Sequence, residues 1–256
     1  MCFELDSLPP IPPLSGGAPV RSEDVTLEAA DRNRFAGFVA LPDEPGRVGV
    51  VVLPDVRGLY RFYEELALRF AERGYPAVAF DYFGRTAGVE KRDDEFPYMD
   101  HVARTTPEGI QQDTRAAVDF LRSPDGGGCT AIFTVGFCFG GRNSWLAAAA
   151  GHGLAGAVGF YGSTVERNGQ PGPTERAAEF EAPLLALQAG DDQNILPEHN
   201  AAFDAALEAA GVEHELVVYD GAPHSFFDRR FAEYADASAD AWQRVLAFVE
   251  QHADAA

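Results

Sequence analysis

The stretch Ala131-Ile132-Phe133-Thr134-Val135-Gly136-Phe137-Cys138-Phe139-Gly140-Gly141 decides how this chain folds, because it leads from an apolar run into a cysteine set among glycines. An apolar run of this length predicts a buried strand, and the alanine-rich segment 142–151 predicts a helix. Cys138 therefore lies at a strand-to-helix turn, in the G-x-C-x-G-G form of a nucleophile elbow. Glycines suit such a turn because strand and helix approach each other closely. The positive end of the helix dipole also favours an anion at Cys138.

The cysteine alone allows a second interpretation, because free cysteine is among the most buried residue types and often only fills space in a core. Two acidic residues and a histidine further along the chain favour the catalytic interpretation. Asp191 and Asp192 follow the apolar stretch 183–187, and His224 follows the β-rich run 215–219. The carboxyl ends of parallel strands meet at one edge of a sheet, where catalytic groups collect.

The other histidines lie in polar or helical surroundings, and we expect them to be surface or structural residues: His101, His152, His199, His214 and His252. The three remaining residue types form a known chemical set. A thiol with a pKa of roughly 8.5 is only partly ionised at neutral pH, and an imidazole nearby can take its proton. A carboxylate then orients the ring and stabilises the imidazolium.

A developing oxyanion also needs backbone donors. The amide of Phe139, directly after the cysteine, is the first candidate donor. The second candidate is the amide of Val56, because the loop 54–58 follows the buried strand predicted at 48–53.

Several segments resemble the dienelactone hydrolases of the α/β-hydrolase superfamily, and the resemblance extends from about Arg34 to Val249. It implies an α/β fold with a mostly parallel sheet covered by helices on both faces. It also implies a Cys-His-Asp triad that opens small esters or lactones without a cofactor. The segments that carry the resemblance are Pro54-Asp55-Val56-Arg57-Gly58, Asp81-Tyr82-Phe83-Gly84-Arg85, Gly136-Phe137-Cys138-Phe139-Gly140-Gly141, Gly190-Asp191-Asp192 and His224-Ser225-Phe226.

Carried onto this sequence, the resemblance places the nucleophile at Cys138, the base at His224 and the acid at Asp192. Asp192 is preferred to Asp191 because the family has a glycine, one intervening residue and then the aspartate. One alternative in the same class is a general carboxylesterase or thioesterase that acts on acyl chains. An alternative from another class is a non-catalytic ligand-binding or thiol-redox protein.

The sequence departs from the family at positions that concern specificity. Family members resemble one another in a glutamate that contacts the resting thiol, whereas this chain has the shorter Asp55, which could instead form a turn. The family's substrate carboxylate is held by arginines, one of them four residues after the histidine, where this chain has Asp228. Arg229 and Arg230 follow directly. They are either a shifted contact for the substrate carboxylate or a pair of surface residues. Arg85 is either the second anchor or a solvated residue.

Composition favours one domain over residues 21–256, since 256 residues with 46% hydrophobic content can bury a sizeable core. Residues 1–20 form an arm that should be extended around its proline-rich stretch 9–13. The net charge of −20, with one lysine and nineteen arginines, argues against a nucleic-acid partner. The oligomeric state is not indicated by the sequence.

No segment is apolar enough to predict a membrane span, and the first residues lack the pattern of a signal peptide, so we expect a cytoplasmic protein without a membrane partner. Cys2, Cys129 and Cys138 match no disulfide or metal-site spacing. We therefore expect no metal and no cofactor, and a small-molecule ester or lactone as the partner.

Hydrophobic periodicity predicts an alternation of strands and helices. Segment 84–107 is charged and irregular, and it is predicted to be either a solvated loop or a lid with an aromatic tip. Segment 162–179 is a second polar loop. The predicted strands are 35–41, 48–53, 76–80, 131–135, 155–161, 183–187 and 215–219, and the predicted helices are 60–73, 108–122, 142–151, 198–210 and 231–252.

Overall fold

The computed structural model describes residues 7–228 and 230–254. Cys2 and Arg229 lie outside the described residues. Strands β1 to β8 are Val20–Glu28, Arg34–Pro42, Val48–Leu53, Ala77–Phe80, Ala131–Phe137, Gly156–Phe160, Leu184–Ala189 and His214–Tyr219. Helices α1 to α7 are Arg61–Ala71, Gly84–Ala87, Tyr98–Val102, Pro107–Arg122, Phe139–Ala147, Pro197–Ala210 and Ala235–His252.

The eight strands form one sheet in the order β1-β2-β4-β3-β5-β6-β7-β8. All pairs from β4 to β8 are parallel, whereas β2 is antiparallel to both β1 and β4. The predicted mostly parallel sheet is therefore confirmed. Its carboxyl edge gathers the loops that follow β3, β5, β6, β7 and β8, which is where an α/β sheet carries its binding crevice.

Helices cover both faces of this sheet, and strand β3 shows why. Val50 and Val52 point to one face, in a cluster with residues of α1 and α7. Val51 and Leu53 point to the other face, in a cluster with α4. A strand that is buried on both faces has no polar alternation, which explains the continuous apolar run in its sequence.

The elbow depends on glycines because backbone from three elements meets there. A Cβ at Gly140 would lie 2.0 Å from the carbonyl oxygen of Leu53, at the end of β3. A Cβ at Gly136 would lie 2.0 Å from the carbonyl oxygen of Gly140. Neither distance leaves room for a methyl group, so both glycines are required for α5 to pack against β3 and β5.

The structure differs from the sequence prediction at both ends of the chain. Strand β1 was not predicted because it is an edge strand whose side chains are mostly exposed and polar. The closing helix was predicted from residue 231 but begins at Ala235, and residues 231–234 form turns. Phe231, which the periodicity placed on the apolar stripe, is 38% exposed. In the predicted arm, Ile11 is buried against the core cluster that contains α1.

Replacing Gly140 with alanine is expected to lower the free energy of unfolding by about 3 kcal/mol or more, because the new methyl group overlaps a fixed backbone carbonyl. Gly74→Ala is the matched control: Gly74 has φ +85° and open space around the Cβ position, so only backbone strain of about 1–2 kcal/mol is added. Urea denaturation measures both variants. Equal losses would contradict the steric account.

His152 gives the fold an acid-sensitive contact between α4 and the segment that follows α5. Its Nε2 lies 3.0 Å from Oε1 of Gln111, and burial lowers the pKa of His152 from 6.5 to about 4. The unfolded chain therefore binds a proton more readily than the folded protein between these two values.

The contribution of neutral His152 to the free energy of unfolding should thus be fully present above pH 6.5. It should decrease as the pH drops towards 4, by up to about 3 kcal/mol. Urea midpoints at a series of pH values measure this dependence. His152→Gln should flatten it in this range. A slope that is the same in the variant would show that other groups cause the acid sensitivity.

Candidate active site

Cys138 occupies the turn between β5 and α5 with a backbone that few residues adopt. Its φ of 55° and ψ of −110° make it one of a few non-glycine residues with positive φ in the described chain. The backbone is held from both sides, since the Cys138 amide donates to the carbonyl of Phe160 at 2.9 Å and its carbonyl accepts from Arg142 N at 3.2 Å. Strain of this kind concentrates at functional sites, where the surrounding structure enforces it.

Asp192 and His224 are brought together by the loops that follow β7 and β8. Nδ1 of His224 lies 2.6 Å from Oδ2 of Asp192, whose side chain is fully buried while that of the histidine is 27% exposed. The neighbouring Asp191 is exposed, and its side chain accepts from Gln193. The structure thus pairs Asp192, and not Asp191, with the imidazole.

Asp192 is held in its ionised form despite its burial. Burial raises the pKa of this carboxyl, but the hydrogen bond and charge of His224 outweigh it. The amides of Asn194 and Ile195, which donate to Oδ1 at 2.8 and 3.3 Å, act in the same direction. The net result is a pKa below the ordinary 3.8, so Asp192 can orient a neutral imidazole and stabilise an imidazolium.

Tyr161 packs against the imidazole from the end of β6. Its ring centroid lies 4.9 Å from that of His224, and its hydroxyl donates to Oδ2 of Asp228 at 2.8 Å. Tyr161 also has a positive φ, of 37°. Asp228, four residues after the histidine, is buried, and its hydrogen bond with Tyr161 holds the tyrosine side chain in place. Arg230, next to the undescribed Arg229, pairs with Glu233 at the surface.

The two residues predicted to supply oxyanion donors lie at the same cleft as the thiol. Val56 and Phe139 line the same cleft as Cys138 and His224. Phe139 is the first residue of α5, so its amide lies in the turn that has no carbonyl partner within the helix. The preceding Asp55 is buried, and its Oδ1 accepts from the amide of Arg57 at 2.9 Å, which stabilises the turn of this loop.

Arg85, predicted to be either a substrate anchor or a solvated residue, is exposed and does not line this cleft. Its guanidinium pairs with Asp31, and it donates to Asp113 at 2.8 Å. Asp113 lies on α4 and is itself buried, and it also accepts from Asn33 at 2.9 Å. Both acidic partners lie outside the sequence segment that suggested the anchor, so this network could not be predicted from that segment.

The cleft has a volume of about 850 Å³ and is bordered by both of the predicted polar loops. From the first loop, Met99, Val102 and Thr105 line it, on or just after the short helix α3. Segment 84–107 is therefore not a wholly solvated loop, because it contains the helices α2 and α3 and contributes residues to the cleft. From the second loop, residues 163, 167, 168, 170 and 171 line it.

Arg142 is a residue of this site that the sequence analysis missed. It lies four residues after the cysteine and donates to four backbone carbonyls of the second loop, those of Ser163, Val165, Gln170 and Pro171. Burial lowers the pKa of its guanidinium. The sequence shows that Arg142 lies in the elbow segment. Its acceptors are backbone carbonyls spread along a loop that has no recognisable motif, so the sequence does not indicate this contact.

Within residues 7–228 and 230–254, no group of three or more His, Cys, Asp or Glu side chains could hold a metal ion. Over the same ranges, no helix has the length and apolar character needed to cross a membrane.

The chain is similar in sequence to two curated hydrolases. A "Putative carboxymethylenebutenolidase" of Yersinia pestis is 30% identical over 232 residues, which are 86% of this chain and 85% of that protein. A protein of the same name from Escherichia coli K12 is 27% identical over 259 residues, covering 93% of this chain and 96% of its own.

A crystal structure of a putative dienelactone hydrolase from Klebsiella pneumoniae superposes with a TM-score of 0.80 at 26% identity, covering 91% of this chain and 99% of that one. The predicted α/β-hydrolase fold is confirmed by this similarity. The dienelactone hydrolase family itself matches residues 35–253. With most of its length matched, this chain belongs to the dienelactone hydrolase family.

Proposed function

We propose that this member of a hydrolase family cleaves a small ester or lactone through a covalent intermediate on Cys138. The observation that carries the proposal is the hydrogen bond between His224 and the buried Asp192, at the edge of the cleft that Cys138 also lines. A nucleophile, a base and a group that orients the base are the parts that acyl transfer requires. The backbone amides of Val56 and Phe139 supply the fourth part, the oxyanion donors.

In the first half of the reaction, the imidazole of His224 accepts the thiol proton and the Cys138 thiolate attacks the carbonyl carbon. The carbonyl oxygen becomes an oxyanion, which accepts hydrogen bonds from the two backbone amides. The tetrahedral intermediate then expels the alcohol oxygen, which takes the proton from the imidazolium. The product of this half-reaction is a thioester on Cys138; for a lactone, the alcohol remains attached to the same molecule.

In the second half, water attacks the thioester while His224 accepts a proton from it. A second oxyanion forms in the same place, and its collapse releases the carboxylic acid and restores the thiol. Asp192 stays ionised throughout and holds the ring with Nδ1 protonated, so Nε2 is the atom that exchanges protons. We attribute no step to a metal or cofactor.

The thioesterase or general carboxylesterase alternative uses the same four groups, because an acyl thioester reacts at the same carbonyl carbon. The non-catalytic alternative is disfavoured by the buried Asp192–His224 pair, since a ligand-binding protein has no need to ionise a carboxylate behind an imidazole. A catalytic thiol functions best in a reducing compartment, which supports our proposal of a cytoplasmic enzyme. The net charge of −20 supports a small molecule, and not a nucleic acid, as the partner.

Cys138→Ala is expected to lower kcat/KM by about 10³-fold or more on any ester or lactone that the wild-type protein hydrolyses, because no other group can form the acyl intermediate. The measurement is hydrolysis of dienelactone and a set of nitrophenyl esters. Cys129→Ala is the matched control. Burial raises the pKa of Cys129 to about 11, and its side chain lies in the core outside the cleft, so the control should keep its activity.

The same pair of cysteines can be compared by alkylation with iodoacetamide and peptide mapping. We expect modification of Cys138 well before that of Cys129. Equal activity of the Cys138→Ala variant and the wild-type protein would refute the proposed nucleophile.

Asp192→Asn should reduce kcat by about 10²–10⁴-fold, because the amide no longer stabilises the imidazolium and can favour the wrong tautomer of His224. Asp191→Asn changes a neighbouring carboxylate that is exposed and makes no contact with the imidazole in the described structure, so its kcat should stay within about twofold of the wild-type value. Steady-state kinetics on one ester decide the assignment. A larger loss in Asp191→Asn than in Asp192→Asn would reverse it.

A further inference from the structure

The sheet order places the two loops that border the cleft on opposite sides of Cys138. Cys138 follows β5, whose neighbours are β3 and β6. The loop that contains α3 follows β4, on the far side of β3, whereas the second loop follows β6 directly. The cleft therefore has two walls, one built from α3, α4 and the Leu146 end of α5, and the other from residues 163–171 together with Arg142, which binds them.

Among the described residues, the first wall carries apolar side chains from three helices and no cation, since its polar lining residues are Thr105, Thr106, Glu108 and Asn143. Met99 and Val102 on α3, Ile110 on α4 and Leu146 on α5 all line the cleft. Met99 is 58% exposed, the highest value among the exposed large hydrophobic side chains of the described chain. An unbranched methionine at this place can adapt to apolar groups of different shape. We call these four residues the apolar wall.

The second wall is polar, and its arginines already have hydrogen-bond acceptors within the protein. Arg142 donates to the four backbone carbonyls given above. Arg167, at the tip of the loop, donates to the carbonyl of Asn194 at 3.1 Å and to Oγ of Ser163 at 3.0 Å. Both cations thus hold this wall and the Asp192 loop in place.

The position of His224 decides which half of an ester lies on which wall. His224 must give its proton to the leaving alcohol, so the alcohol lies on the side of the histidine. The loops of Asp192 and His224 follow β7 and β8, on the same side of β5 as the polar wall. The acyl group then extends the other way, towards α3 and α4.

We propose that the substrate is an ester with an extended, uncharged apolar acyl group, which lies on Met99, Val102, Ile110 and Leu146. This inference rests on the proposed ester hydrolysis and names its substrate class. A cleft of about 850 Å³ is large for a compact lactone, since pockets that bind drug-sized ligands have volumes of roughly 300–1,000 Å³. Arg85 is paired with Asp31 and Asp113, and Asp228 is a buried acid. Neither position therefore offers a cation to a charged acyl group.

The test is the dependence of kcat/KM on acyl length, measured with p-nitrophenyl acetate, butyrate, hexanoate and octanoate beside dienelactone, which carries a carboxylate. We expect an increase of about two- to fourfold for each methylene group that the wall covers, and a preference for hexanoate over dienelactone. Met99→Asp should lower the ratio of the octanoate to the acetate value of kcat/KM, while Met99→Leu should preserve it. Leu8→Asp, which adds the same charge at an exposed apolar residue outside the cleft, should leave this ratio unchanged.

Three outcomes are distinguishable. A rise with acyl length that Met99→Asp removes supports the apolar wall. Hydrolysis that falls with acyl length, or that favours dienelactone, overturns it and leaves the proposed hydrolysis standing. A protein that hydrolyses none of these compounds, and behaves like Cys138→Ala on all of them, overturns the proposed function together with this inference.

Discussion

The close approach of α5 to the ends of β3 and β5 is the constraint on which the rest of the site depends. Gly140 lies so near the carbonyl of Leu53 that a side chain of any size would separate helix and strand. Because these backbones touch, Cys138 is forced into its unusual backbone conformation and projects into the cleft. The same contact brings the start of α5 beside the loop that carries Val56. A single packing requirement thus positions both Cys138, the proposed nucleophile, and the amides proposed to stabilise its oxyanion.

The parts of the structure that could be predicted from sequence are those with one strong local signal. The buried strands were recognisable because β3 and β5 are apolar on both faces, and the elbow because glycine is the only residue that fits there. Strand β1 could not be predicted, because an edge strand whose side chains are mostly exposed lacks the regular apolar positions that identify a buried strand. The closing helix was extended too far because Phe231 matches the helical spacing while the chain at this point forms turns.

The polar contacts of the site were harder to predict, because partners that are distant in sequence determine them. Arg85 lies in a segment that suggests a substrate anchor, yet Asp31 and Asp113 bind its guanidinium. Asp228 is similar: the sequence shows only that an arginine is missing, whereas the structure shows a buried carboxylate that accepts from Tyr161. In both cases the residue type was visible and its hydrogen-bond partner was not.

Arg142 links the elbow to the polar wall and so connects the chemistry with the shape of the cleft. Its backbone amide donates to the carbonyl of Cys138, while its guanidinium binds the loop of residues 163–171. Arg167 extends the connection to Asn194, whose amide in turn donates to Asp192. A rigid polar wall of this kind keeps the loop of Asp192 in a fixed position relative to Cys138, the proposed nucleophile. The side chains of the apolar wall carry no hydrogen-bond donor that could bind the loops of Asp192 and His224, so they can follow the shape of the proposed acyl group while those loops stay fixed.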